Sequence, residues 1–265
     1  MIIIGEKING FIPRTLAAIE DRDEKYIRFL AEKQSERNAK YLDICAGVAP
    51  EKERDTLKWL CEVVQSATDT PICLDSSDPQ ILVDMIAEIE VPGMINSVSL
   101  EANKCEIVLS KIADSDWKVI ALTCDDNGTP DDPSVKFDIA CKLIAKANAV
   151  GITNDRIFID PLVTTLATKE NSLVSFTKAI RLIRAEFPDV HITSGLSNIS
   201  YGMPNRKAIN MQFLSLSMAA GMDSAILDPL SPDMQATIHA TDALLGNDEF
   251  CMEYIAAYRA GLFDN

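Results

Sequence analysis

The chain has 265 residues, 47% of them apolar and 25% charged, a composition that suits a folded protein with a sizeable core and argues against disorder. Its formal charge of −15 argues against nucleic-acid binding, because displacing counterions from a phosphate backbone needs clustered lysine and arginine, and an anionic membrane surface would repel it too. No run of about 18 apolar residues could span a bilayer, and the start Met1-Ile-Ile-Ile-Gly-Glu-Lys lacks the basic stretch of a signal peptide, so a cytoplasmic protein is expected.

The first β-rich run covers residues 2–8 and closes on Gly5-Glu6-Lys7-Ile8-Asn9. Helical spacing follows over 23–38, where Tyr26, Leu30 and the stems of Lys33 and Arg37 share a face. The second run, 41–46, holds Asp43 and leads into a helical pattern over 51–67. The third, 71–76, ends Leu74-Asp75-Ser76-Ser77 before a helix over 79–88. The fourth, 93–98, carries Ile95-Asn96-Ser97, and the fifth, 119–124, precedes an acidic stretch at 125–132 and a helix over 133–150. The sixth, 157–162, ends Ile159-Asp160-Pro161 ahead of a helix over 170–187. The seventh, 191–196, runs into Gly195-Leu196-Ser197-Asn198, with a helix over 204–220. The eighth is 224–230, and packing helices follow Asp233.

These runs are rich in Ile, Val, Leu and Ala without strict alternation, as in parallel strands buried on both faces. Eight evenly spaced strand-then-helix units with no glycine-rich first turn predict one α/β domain over residues 1–265, a (β/α)8 TIM barrel rather than an open doubly wound sheet. The seven cysteines, from Cys45 to Cys251, are scattered without a CxxC, and with only His191 and His239 beside them a metal site is not expected. His191 begins a strand and reads as packing or capping at the bottom of the barrel; Trp59 and Trp117 also read as packing residues.

Chemistry in such barrels collects at the C-terminal strand ends, where this sequence repeatedly places carboxylates and carboxamides. Buried together and unpaired they would be costly, so a ligand must supply donors. A pterin does so, since its edge alternates donors and acceptors that Asp and Asn can match. No glycine-rich nest offers a phosphate site, which disfavours sugar phosphates. Each residue also has a plainer reading. Asp75 could cap the helix near Pro79, Asp160 and Asp228 could each form a turn before proline, Asn96 and Asn198 could be loop residues, and the acidic stretch could be a solvated loop.

In order, the segments GEKIN, YLDICAG, CLDSS, MINS, FIDPL and GLSNIS resemble those of the pterin-binding methyltransferase family, specifically methyltetrahydrofolate:corrinoid protein methyltransferases and the folate domain of cobalamin-dependent methionine synthase. The resemblance spans essentially the whole chain. It implies a methyl transfer between N5 of tetrahydrofolate and a corrinoid (cobalamin) carried by a separate protein, since no DxHxxG corrinoid signature occurs here, and it implies a homodimer. It further implies that Asp75, Asn96 and Asp160 bind the pterin, with backbone groups of Gly195 and Ser197 assisting, that Asn198 contacts N5, and that Glu6, Asn9 and Asp43 lie lower in the site. Tyr201 stands where one branch of the family has glutamine, which bears on the partner surface and favours a chain that forms methyltetrahydrofolate in a demethylase system. A dihydropteroate-synthase-like enzyme and a non-catalytic folate-binding barrel are the alternatives.

Overall fold

A computed structural model describes residues 1–264. Eight parallel strands form one sheet: β1 (Ile2–Asn9), β2 (Tyr41–Cys45), β3 (Ile72–Asp75), β4 (Met94–Leu100), β5 (Lys118–Asp125), β6 (Ile157–Asp160), β7 (His191–Ile192) and β8 (Ser224–Leu227). Strands β1 to β7 pair in chain order, and β8 pairs with β1. The circle closes where Ile226 N–H donates to the Ser194 carbonyl at 2.9 Å and Asp223 N–H to that of Ile192 at 3.2 Å. The fold is therefore the expected (β/α)8 barrel.

Ile4, Cys73, Met94, Ile120 and Phe158 fill the barrel centre, while a larger apolar layer lies between the strands and the outer helices. Those helices are α1 (Pro13–Glu20), α2 (Glu24–Glu36), α3 (Pro50–Gln65), α4 (Pro79–Ile86), α5 (Lys104–Ile112), α6 (Pro133–Ala149), α7 (Ser172–Glu186), α8 (Arg206–Ala220), α9 (Pro232–Leu244) and α10 (Met252–Arg259). Proline in the first turn opens α1, α3, α4, α6 and α9; its fixed φ suits the helix and its missing N–H has no partner to lose there. Among the described residues no helix is long and apolar enough to cross a membrane.

Besides β6 and β8 ending earlier than expected, at Asp160 and Leu227, the structure differs from the sequence expectation in three places. Helices α1 and α5 were not anticipated, although Cys105, Val108, Leu109 and Ile112 bury one face of α5 at helical spacing. Strand β7 is only two residues long, because the chain beyond it coils into a 3-10 turn, Leu196–Ser200. Arg206 stabilises that turn by donating to the Ser197 carbonyl at 2.8 Å and to Ser200 Oγ at 3.0 Å. The acidic stretch is also more than a solvated loop. Asp126 accepts the Ala102 N–H, Asp131 pairs with Lys169, and Asp132 caps α6.

His191 lies where the sequence placed it. Its Nδ1 meets Asp223 Oδ2 at 2.8 Å, and its ring stacks on Phe158 with centroids 4.4 Å apart.

Candidate functional site

Strands β2, β3 and β4 bring three candidates together by register. Asp75 is paired with Cys45 on one side and Asn96 on the other. Asn96 Nδ2 donates to Asp43 Oδ1 at 3.0 Å, which ties β4 to β2 across the mouth. Asp43 is 2% exposed, and burial followed by the charge of Asp75 holds its carboxyl well above the usual range. Burial pushes Asp75 up to about 6, opposed by a hydrogen bond from the Cys45 thiol and reinforced by the charge of Glu53. Capping of α4 falls to Asp78, whose carboxylate accepts the Gln80 N–H at 2.8 Å. Asp75 is thus not the cap that its sequence context allowed.

Asp160 ends β6 and is buried. One carboxylate oxygen accepts the Leu162 N–H at 2.8 Å, and the other accepts the Gly195 N–H at 3.4 Å, so the turn expected before Pro161 exists and also aims the group at the loop after β7. Burial raises Asp160 to about 6 against the pull of those two N–H groups and of the Lys136 charge. Gly195 in turn accommodates Asn198, because a Cβ at residue 195 would come within 2.9 Å of Asn198 Nδ2. Asn198 sits in the 3-10 turn with its side chain exposed. The Gly195 N–H is given to Asp160, and the Ser197 carbonyl accepts from Arg206 and Ser200.

Beside Asn198 opens a cavity of 720 Å³, lined by Glu6, Asn9, Ser197, Asn198, Tyr201 and Asp228 among others. Burial, then the charge of Asp228, raises Glu6 to about 7, opposed by Lys7 and Arg206. Asn9 Oδ1 accepts the Phe11 N–H at 2.8 Å and so shapes the loop after β1. Lys7 and Asp228, which sequence reasoning left out of the site, pair at 3.0 Å in this cavity. Asp228 still forms the turn expected of it, accepting the Leu230 N–H at 2.9 Å just as Asp160 accepts that of Leu162. That repeated Asp-Pro-Leu was the available signal: two strands ending alike direct two carboxylates to one mouth.

Two carboxylates and a carboxamide at neighbouring strand ends can match the donors and acceptors of a flat heteroaromatic ring. Asn198 supplies a further amide at the rim, on the side of the cavity.

Residues 17–228 match the family described as "Pterin binding enzyme". The methylcorrinoid:tetrahydrofolate methyltransferase of Eubacterium limosum is 48% identical over 263 residues, which cover 98% of this chain and 97% of that protein. The methionine synthase of Mycobacterium tuberculosis is 29% identical over 244 residues, 86% of this chain but 20% of that much longer protein. Among solved structures, the dihydropteroate synthase of Xanthomonas albilineans in complex with 7,8-dihydropteroate superposes with a TM-score of 0.64 at 19% identity, covering 93% of this chain and 92% of that one. At that identity the likeness concerns the fold alone.

Proposed function

Because this chain belongs to the pterin binding enzyme family, we infer that it is a methyltransferase that moves a methyl group between a corrinoid protein and N5 of tetrahydrofolate. The observation that carries this is the 48% identity, over nearly the whole of both chains, with an enzyme named for that reaction. The direction named there, from methylcorrinoid to tetrahydrofolate, is the one we propose, in a demethylase system.

In this reading Asp75 and Asp160 accept hydrogen bonds from the pterin ring, and Asn96, oriented by Asp43, completes the set. Asn198 reaches N5 from the rim, while Glu6 and Asn9 extend the polar wall beside it. The methyl carbon bonds to N5 as its bond to cobalt breaks with the electron pair staying on the metal, and N5 releases its proton to water. Asn198 steadies the charge that develops at N5. In the opposite direction a tertiary amine is a poor leaving group, so N5 needs a proton or a strong hydrogen bond by the transition state; the same amide donates the hydrogen bond and water relays the proton. The cobalt belongs to the partner's corrinoid, and in this proposal the chain itself holds no metal.

The partner would cover the mouth next to Phe11 and Tyr201, residues that line the cavity and are 79% and 71% exposed. Loop packing fixes the first of them: a Cβ on Gly10 would meet the Ala46 carbonyl oxygen at 2.1 Å, so the backbone before Phe11 lies hard against the loop after β2. Aromatic side chains in such positions commonly anchor protein interfaces. Tyr201→Ala should therefore raise KM for the corrinoid protein roughly tenfold while leaving the Kd of tetrahydrofolate unchanged. Titrating each substrate separately checks this, and an equal loss for both would remove Tyr201 from the partner surface. We propose that the chain acts as one unit in the cytoplasm, as a homodimer, away from nucleic acid and membranes.

The pH response follows from the raised carboxyls. Asp75 and Asp160, at about 6, accept most strongly from the pterin when ionised, so tetrahydrofolate should bind more tightly as pH rises through that value. Stability of the ligand-free protein should run the other way. A carboxyl whose folded pKa exceeds its unfolded value near ~4 contributes stability below the unfolded value and loses it as pH rises through the folded one. Glu6, at about 7, adds to this trend. Between pH ~5 and ~7.5 the Tm of the free protein should fall while the increment from tetrahydrofolate grows; a free-protein Tm that climbs across this window would contradict the assignment.

Product analysis separates the proposal from its two alternatives. With tetrahydrofolate and methylcobalamin carrying a labelled methyl group, label should appear in 5-methyltetrahydrofolate. Condensation of a dihydropterin pyrophosphate with 4-aminobenzoate would point to a synthase instead, and tetrahydrofolate binding without either product would leave a carrier.

A further inference from the structure

Lys136 lies in the first turn of α6, is 3% exposed, and has had no part so far except as a charge near Asp160. Burying an ammonium is expensive unless it is compensated, so a lysine in this position needs a reason. Its Nζ donates to the Leu162 carbonyl at 2.6 Å. The charges of two carboxylates, Asp160 and Asp131, act on it without an ion pair, and the second is engaged by Lys169 at 2.5 Å. Leu162 has φ +53, a left-handed conformation that a branched residue adopts only when its surroundings impose it. The N–H of this same residue is donated to Asp160 Oδ1. One peptide segment is thus held at its carbonyl by the lysine and presents its N–H to the aspartate.

We propose that Lys136 is a positioning residue for the pterin site: it fixes the Asp160-Pro161-Leu162 turn through the Leu162 carbonyl and, by its charge, keeps the Asp160 carboxylate available to accept from the ligand. This rests on the reading of Asp160 as a pterin contact. A neutral donor could hold the turn as well, but a cation there adds its charge to the two N–H groups that already favour the ionised carboxylate. The groups that touch Asp160 directly are the N–H groups of Leu162 and Gly195, which Lys136 variants leave in place.

Tetrahydrofolate Kd measured against pH tests the proposal with four variants. Lys136→Arg should bind like the wild type. Lys136→Met should move the acidic limb of the profile upward by about one unit, which raises Kd about twofold near neutral pH and about tenfold at pH ~5. Lys136→Gln, which keeps a donor for the Leu162 carbonyl, should show the same shift with a smaller loss of stability, and it decides the matter if the methionine variant does not fold. In an Asp160→Asn background, Lys136→Met should no longer move the limb. Uniformly weaker binding with an unmoved limb would mean that Lys136 is merely structural, and a shift that persists without Asp160 would overturn the link between the two residues. Failure of the wild type to bind tetrahydrofolate at all would instead remove the pterin reading, and this proposal with it.

Discussion

Asn198→Ala is expected to slow methyl transfer about 100- to 1000-fold while changing the Kd of tetrahydrofolate less than about threefold. The side chain is exposed on the otherwise largely buried 3-10 turn after β7, outside the group of strand-end residues that would hold the ring. An amide in that position makes its strongest bond when charge at N5 is changing, so its loss should appear in kcat and hardly in ground-state affinity. Little of the effect should come from misfolding, because the turn is kept by Arg206 and Ser200 rather than by Asn198 Nδ2. Single-turnover rates and equilibrium titrations of the same preparation give the two quantities. Equal losses in both would make Asn198 a binding residue. Gly195→Ala should give a milder version of the same pattern, since the added Cβ displaces Asn198 Nδ2 without requiring an unfavourable φ.

The second large effect belongs to the carboxylates, with the opposite signature. Asp75→Ala or Asp160→Ala should raise the Kd of tetrahydrofolate about 100-fold, because each removes charge-assisted hydrogen bonds and leaves pterin donors unpaired in a dry site. Transfer from the saturated complex should fall much less. Asp160→Asn separates charge from shape: its amide oxygen can still accept the Leu162 N–H, so the turn survives, whereas affinity should drop about tenfold. Calorimetric titration measures all three variants. A carboxylate variant that binds normally but transfers slowly would reverse the division of roles between these residues and Asn198.

The barrel was legible in the sequence because parallel strands covered on both faces leave continuous apolar runs, and each run here ends where polar residues begin. Helix starts were legible for a local reason as well: Asp78-Pro79, Asp132-Pro133 and Ser231-Pro232 each join a capping side chain to a first-turn proline. The early end of β7 was not, since it depends on Arg206 reaching back over several residues to the Ser197 carbonyl. Asp75, Asn96 and Asp160 could be picked out as strand ends, yet the link from Asn96 to Asp43 spans 53 residues and follows only from strand register. Lys7 and Asp228 illustrate the same limit. Each has an ordinary local role in sequence, and only closure of β8 onto β1 joins them across the cavity beside Asn198.

The most direct measurement is the anaerobic visible spectrum of the protein mixed with tetrahydrofolate and methylcob(III)alamin. Methylcob(III)alamin absorption should decay to that of cob(I)alamin, in step with one methyltetrahydrofolate formed per cobalt, and the decay should nearly vanish with Asn198→Ala. An unchanged spectrum while tetrahydrofolate remains bound would contradict the assignment of methyl transfer to this site.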